Sequence, residues 1–330
     1  MARAGLSPVL ALALLAQPLA AQQPPQPQEP LLRPSVQNLD GSSLPPHAAL
    51  REGALGTAFA LGERLFSDPV LSGDRTVSCR SCHLPEHAFA HPDPRPAGIA
   101  GRRAKRHAPS LVDRIHGTSQ GWDGKAASLE EFVLQPIADP DEMGLPLAEA
   151  VKRLRTDEPH RKAFEAAYRD GVTQDNLAHA LSTFVRGIAS TESSYDRFLK
   201  GGITELDPQQ RAGLWVFESK GRCWQCHSPG RFTDELFHNT GVGAVDGVPR
   251  PGREVVTGKP ADRGAFRTPT LRMVRHTAPY MHDGSMATLE DVVEFYVRGG
   301  TANHALDPRM TPLELSAEDK ANLVAFLRSL

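Results

Sequence analysis

The sequence predicts a mainly α-helical chain in two parts, each with long ordered loops. Three observations lead there. Amphipathic stretches with helix-start residues recur along the chain. Two C-x-x-C-H pentapeptides, Cys79-Arg80-Ser81-Cys82-His83 and Cys223-Trp224-Gln225-Cys226-His227, each follow such a stretch. About three hundred residues remain after an N-terminal leader, which suits two domains of ordinary size.

The N-terminus carries Arg3, a mostly apolar run from Val9 to Ala16, and small residues with a cut expected near Ala20 or Ala21. The run is too short to span a bilayer, so residues 1–21 read as a secretory signal peptide. Glutamine and proline crowd Gln22 to Pro30, and residues 22–45 read as a flexible leader. Export predicts a periplasmic protein. No later stretch is long and apolar enough for a membrane helix. The net charge of -2 at pH 7 gives no reason to expect nucleic acid as a partner.

From Leu55 the helical pattern begins, with Leu55, Phe59 and Leu65 ahead of the first pentapeptide. Ser128-Leu129-Glu130-Glu131 has the form of a capping box. Thr173 caps a helix whose stripe is Leu177, Leu181, Phe184, Val185 and Ile188. The natural break falls near Gly201-Gly202, giving parts 46–200 and 201–330. Asp207 caps the next helix with Pro208 in its first turn, and Leu214 and Phe217 mark its apolar side. Between Ser228 and Pro269, glycine and proline are frequent and periodicity is weak, which predicts a long ordered loop with short strands at most. Thr288-Leu289-Glu290-Asp291 repeats the capping box. Leu289, Val292, Val293 and Tyr296 share one stripe of the helix that follows, so Tyr296 faces inward. Ser316 opens a last helix with Leu323, Val324 and Leu327 on one side.

The two pentapeptides use all four cysteines. Two thiols at this spacing can add across the vinyl groups of one haem, and the histidine that follows can bind its iron as the proximal ligand. Zinc pairs lie closer in sequence. Two disulfides remain open to an exported protein, whereas a redox dithiol needs only one such pair and leaves the histidine after each pair unexplained. The expectation is two covalently bound haem c groups, held by Cys79, Cys82 and His83 and by Cys223, Cys226 and His227. Aromatic residues are only 6% of the chain, and buried haems would supply apolar bulk in their place.

Further motifs surround these sites. Glu63-Arg64-Leu65-Phe66-Ser67-Asp68-Pro69, Leu71-Ser72-Gly73 and Trp122-Asp123-Gly124-Lys125-Ala126 stand in the first half. Phe237-His238-Asn239-Thr240-Gly241, Thr268-Pro269-Thr270-Leu271-Arg272 and Thr277-Ala278-Pro279-Tyr280-Met281-His282-Asp283-Gly284 stand in the second. In this order, from about Leu55 to the C-terminus, the chain resembles the bacterial di-haem cytochrome c peroxidase family, and within it the MauG branch. The resemblance implies two cytochrome c-like helical domains, with hydrogen peroxide reacting at the first haem and the second handling electrons.

The resemblance also implies roles for single residues. The family's peroxidases usually carry a methionine ligand fourteen residues after the Pro-Tyr-x-His histidine; from His282 that position is Tyr296, as in MauG-type proteins. A phenolate is hard and anionic and favours oxidised iron, whereas a thioether raises the potential. Met281, Met286 and Met310 remain rival ligands. A distal histidine sixteen residues after the proximal one would fall on Ile99, which cannot ligate, so the first haem is expected to be five-coordinate. His87, His91 and His107 are nearby in sequence and remain alternative ligands, although a loop or surface position is the simpler reading of each. Glu142 matches the acid–base carboxylate and Pro136 the proline of the distal pocket. Phe132 stands where family peroxidases have a glutamine. Trp122 matches the tryptophan between the haems.

Thr277 and Pro279 match backbone ligands of a calcium ion between the haems, while His107 replaces its asparagine ligand. Imidazole suits calcium poorly, so calcium stays an open expectation. The basic run Arg102, Arg103, Lys105 and Arg106 reads equally as haem-propionate partners or as a solvated face.

The implied function is a periplasmic, MauG-type di-haem oxidoreductase that uses hydrogen peroxide to form high-valent haem and oxidise a protein substrate. One alternative is a cytochrome c peroxidase drawing electrons from a small redox protein as its donor. Another is a non-enzymatic electron carrier, against which a vacant haem face argues.

Overall fold

The structure, a computed structural model, describes Met1 and residues 47–330. Apart from Met1, the expected signal peptide and leader lie outside the described residues. Helices make the framework. Among the described residues the one sheet is the antiparallel pair Phe237–His238 and Phe266–Arg267, with Phe237 opposite Arg267. It sits at the two ends of the glycine- and proline-rich loop, which also contains the helical turn Glu254–Thr257.

Each pentapeptide follows a helix that crosses another helix very closely. Gly53–Ser67 buries Phe59, Leu61, Leu65 and Phe66. It packs on Gln174–Arg186, whose first turn is tied by the Thr173 hydroxyl accepting the Asn176 N–H at 3.0 Å. At the crossing a Cβ on Gly62 would stand 2.0 Å from the Ala180 carbonyl oxygen, so only glycine fits. The second half repeats the device. Pro208–Glu218, capped by Asp207 and Gln210, crosses Ala317–Leu327, capped by Ser316 and Asp319. A Cβ on Gly213 would lie 1.9 Å from the Asn322 carbonyl oxygen.

Buried side chains gather in two hydrophobic clusters. One draws on residues between Leu50 and Ile188, the other on residues from Tyr195 to Leu330. The few aromatic residues are concentrated there. Phe66 and Phe184 have ring centroids 4.9 Å apart in the first cluster, and Phe217 and Phe326 lie 5.4 Å apart in the second. Tilted and edge-on pairs of this kind add to the burial of their area.

One expected cap is only half formed. The Ser128 hydroxyl accepts the Glu131 N–H at 3.1 Å, but the Glu131 carboxylate accepts from Ala127 N–H instead of closing the box. Thr288 and Asp291 close theirs in both directions, starting the helix Leu289–Val297 that carries Tyr296.

Candidate active site

Two cavities open beside the pentapeptides. The first is lined by Cys79, Cys82 and His83, with Phe66, Phe132, Pro136 and Glu142. The second is lined by Cys223, Cys226 and His227, with Trp122, His282 and Tyr296. Their empty space, open mouths included, is about 910 Å³ and about 1870 Å³.

The two histidines are held alike. His83 Nδ1 lies 2.8 Å from the Phe89 carbonyl oxygen and His227 Nδ1 2.8 Å from that of Phe232. With Nδ1–H donated to a carbonyl, Nε2 is left as a lone-pair ligand and the ring orientation is fixed. Burial pushes His83 down to about 4 and lowers His227 as well, so both are neutral imidazoles near pH 7.

All four cysteines are free of disulfides. Burial raises Cys79 and Cys223 to about 12 and Cys82 to about 11, so these sulfurs are thiols at neutral pH rather than reactive thiolates. The pairs line different cavities, which rules out one four-cysteine zinc site. The donor set in each cavity is two cysteine sulfurs and one oriented imidazole within a mostly apolar wall, and this set fits a c-type haem.

In the first cavity, Glu142 is the carboxylate on the wall. Its loop is pinned by Glu142 N–H to Asp139 O at 3.1 Å and by Ile99 N–H to Glu142 O at 2.8 Å. Burial raises its pKa first and Asp139 second, while Lys125 and Lys105 oppose the rise. The Lys125 ammonium stands 5.5 Å from the centre of the Phe132 ring, which lines the same wall.

Among the described residues His83 is the one histidine on this wall. Ile99 is not on it. His87 lies in a separate surface pocket, and His91 Nδ1 accepts the Asp93 N–H at 2.9 Å. His107 is not a surface residue: it is buried, and it lines the second cavity. It lies in a loop, as expected, but a buried one, whose backbone N–H at His107 donates to His282 O at 3.0 Å.

The second cavity takes the whole predicted stripe, with Leu289, Val292, Val293 and Tyr296 all on its wall. The Tyr296 hydroxyl makes no hydrogen bond among the described residues, and burial raises its pKa. Met281 and Met310 share this wall, whereas Met286 does not. His282 is buried, with Nε2 3.3 Å from Val242 O and Nδ1 unpartnered. Tyr296 thus offers this cavity an unpartnered hydroxyl, a donor the cavity's apolar wall does not satisfy.

Trp122 stands at the boundary between the cavities. Its ring lines the second, its neighbour Gly121 lines the first, and its Nε1–H donates to His107 O at 2.8 Å. Thr277, Pro279 and His107, the three positions matched to calcium ligands, all line the second cavity.

The basic run is corrected on one point. Arg102 donates to Pro140 O, Arg103 to Arg95 O, Lys105 pairs with Asp139 and Asp141, and Arg106 lies over the Phe266 ring. None of the four lines either cavity. The cationic side chains on both walls are Arg114 and Arg267, which sequence reasoning missed, as it did Gln120 and Met143 on the first wall. No helical or strand period marks any of them.

The family model for di-haem cytochrome c peroxidase matches residues 57–204. A methylamine utilization protein MauG from Methylorubrum extorquens is 36% identical over 82% of this chain and 77% of its own length. A cytochrome c551 peroxidase from Nitrosomonas europaea is 32% identical, covering 82% of this chain and 78% of its own. The crystal structure of a MauG-like protein associated with microbial copper homeostasis superposes with a TM-score of 0.75 at 35% identity, over 83% of this chain and 89% of that one. These relatives are named as peroxidases and MauG proteins, which are enzymes, and the electron-carrier alternative falls. With its paired haem-type cavities and these relatives, the chain belongs to the di-haem cytochrome c peroxidase and MauG family of peroxide-dependent oxidoreductases.

Proposed function

We propose that the chain is a MauG-type oxidoreductase whose two haems are covalently bound in two domains, 46–200 and 201–330. Cys79, Cys82 and His83 hold the first haem and Cys223, Cys226 and His227 the second. The bound haems would supply peroxide reduction and the storage of oxidising equivalents. The chain's own residues do the rest.

At the first site, Glu142 takes the proton of incoming peroxide and returns it to the leaving oxygen. Its raised pKa suits a group that must both accept and give a proton near neutrality. Phe132 and Pro136 keep the wall apolar, which strengthens the electrostatic action of Glu142 on anything bound there. Trp122, fixed by its bond to His107, offers an indole between the two cavities. At the second site Tyr296 would ligate the haem iron, and an anionic phenolate oxygen there would favour the oxidised state. A protein partner then gives up electrons. The signal sequence supports a periplasmic location, and among the described residues no helix is long and apolar enough to cross a membrane.

The observation that carries this reading is the unpartnered Tyr296 hydroxyl in the same cavity as a backbone-locked His227. The second reading, a peroxidase fed by a small redox protein, has one observation in its favour: Met281 and Met310 share that wall. Redox titration of the ferric holoprotein separates the two. A low-potential second haem supports MauG-type chemistry, and a high-potential His–Met haem supports the peroxidase. Calcium belongs to the proposal only through the oxygens of Thr277 and Pro279. With an imidazole as third neighbour the site is expected to be weak, so a chelator should remove the ion readily, as metal analysis would record.

A further inference from the structure

Three buried charges meet beside the two cavities. Arg114 comes from the first half, Glu235 and Arg267 from the second, and the three are 6%, 8% and 4% exposed. Arg114 grips Glu235 in a fork, Nη1 to Oε1 at 2.8 Å and Nη2 to Oε2 at 3.3 Å. Arg267 Nη1 reaches the same Oε1 at 3.2 Å. Both arginines line both cavities.

The group is tied to the strand of chain that carries Trp122. Arg114 Nη2 donates to Ser119 O at 2.7 Å and its Nε to Gln120 Oε1 at 3.0 Å. Arg267 Nε donates to Gly121 O at 3.3 Å, and its backbone N–H to Trp122 O at 2.8 Å.

Two guanidinium groups against one carboxylate leave a net positive charge of one in a buried wall. Such a charge is costly unless an anion faces it. Burial, and then repulsion from Arg114, push Arg267 down to about 9, the direction expected for a cation short of partners. A haem carries two carboxylates of its own.

We propose that Arg114, Glu235 and Arg267 are a shared electrostatic anchor: one buried positive charge that pairs with the anionic edges of both haems and shifts their potentials together. This rests on the reading that each cavity holds a haem. The two arginines are positioning residues; they also fix the backbone on either side of the Trp122 peptide. A positive charge favours the ferrous over the ferric state, so losing it should lower both potentials, and losing Glu235 should raise both.

The test uses the holoprotein. Haem is counted first, and fewer than two in the wild type removes the underlying reading rather than this one. Spectroelectrochemical midpoints are then measured for Arg114→Gln, Arg114→Lys and Glu235→Gln. The expected result is that Arg114→Gln lowers both midpoints, Arg114→Lys keeps both near wild type, and Glu235→Gln raises both. A shift confined to one haem, or a lysine variant that behaves as the glutamine variant does, overturns the proposal. Should Arg114→Gln fail to retain both haems, retention of both by Arg114→Lys supports charge pairing, and loss from both variants overturns it.

Discussion

Replacing Glu142 by glutamine is the perturbation that tests the chemistry of the first site. The amide is almost the same size and can still accept a hydrogen bond, but it cannot carry a proton. General acid–base transfer is worth about 10²–10⁴-fold, or about 2.7–5.5 kcal/mol of barrier. The pinned loop argues that Glu142→Gln leaves the wall in place, so the loss should fall on the rate rather than on haem content. Stopped-flow mixing of holoprotein with peroxide reads that rate.

The pH dependence carries the sign. Glu142 must be ionised to take the first proton. Burial and Asp139 raise its pKa, so its ionised fraction grows across a window above the ordinary carboxylate range. The wild-type rate should therefore rise with pH through that window, and the rise should vanish in Glu142→Gln. Lys125 and Lys105 work in the opposite direction, so Lys125→Met should move the rise to higher pH and Asp139→Asn to lower pH. An unchanged rate in Glu142→Gln, or a pH limb that survives the substitution, refutes the assignment.

The other predictions concern the remaining parts. Cys79→Ala with Cys82→Ala should cost one acid–acetone-stable haem, and Cys223→Ala with Cys226→Ala the other, as pyridine haemochrome spectra would count. Trp122→Phe removes the indole and its bond to His107; it should leave the first site's peroxide reaction intact while slowing the spectral response of the second, resolved by rapid-scan mixing. Tyr296→Met should raise the second haem's potential, since thioether favours ferrous iron; an unchanged potential would show that Tyr296 is not the ligand. Gly213→Ala places a methyl group against the Asn322 carbonyl and should destabilise the protein by about 1–3 kcal/mol in denaturant unfolding, the cost of overpacking a tight crossing.

The two C-x-x-C-H pentapeptides on the cavity walls were legible because their spacing is a local chemical pattern that survives without any structure. The capped helices were legible for a related reason. Thr173, Asp207, Thr288 and Ser316 act on N–H groups three residues away, so cause and effect share one short stretch of chain. Tyr296 was placed by a stripe of the same kind. The shared wall was not legible. Arg114 meets Glu235 across 121 residues, and Arg267 meets Gly121 across 146. No local period records such pairs. The basic run Arg102, Arg103, Lys105 and Arg106 drew the propionate reading, beside that of a solvated face, because a cluster of like charges is conspicuous in sequence while two single arginines are not. Gly62 and Gly213 were missed for the same reason, since each is required by a carbonyl on another helix.

Low-temperature EPR of the fully ferric protein, joined to a redox titration, tests the central claim most directly, because it reports the ligands and the potential of each haem in one sample. The account predicts a high-spin signal from a first haem with an open face and a low-spin signal from a second haem of low potential, with peroxide reacting at once with the ferric protein. A second haem of high potential with His–Met ligation, in a protein that reacts with peroxide only after half reduction, would contradict it.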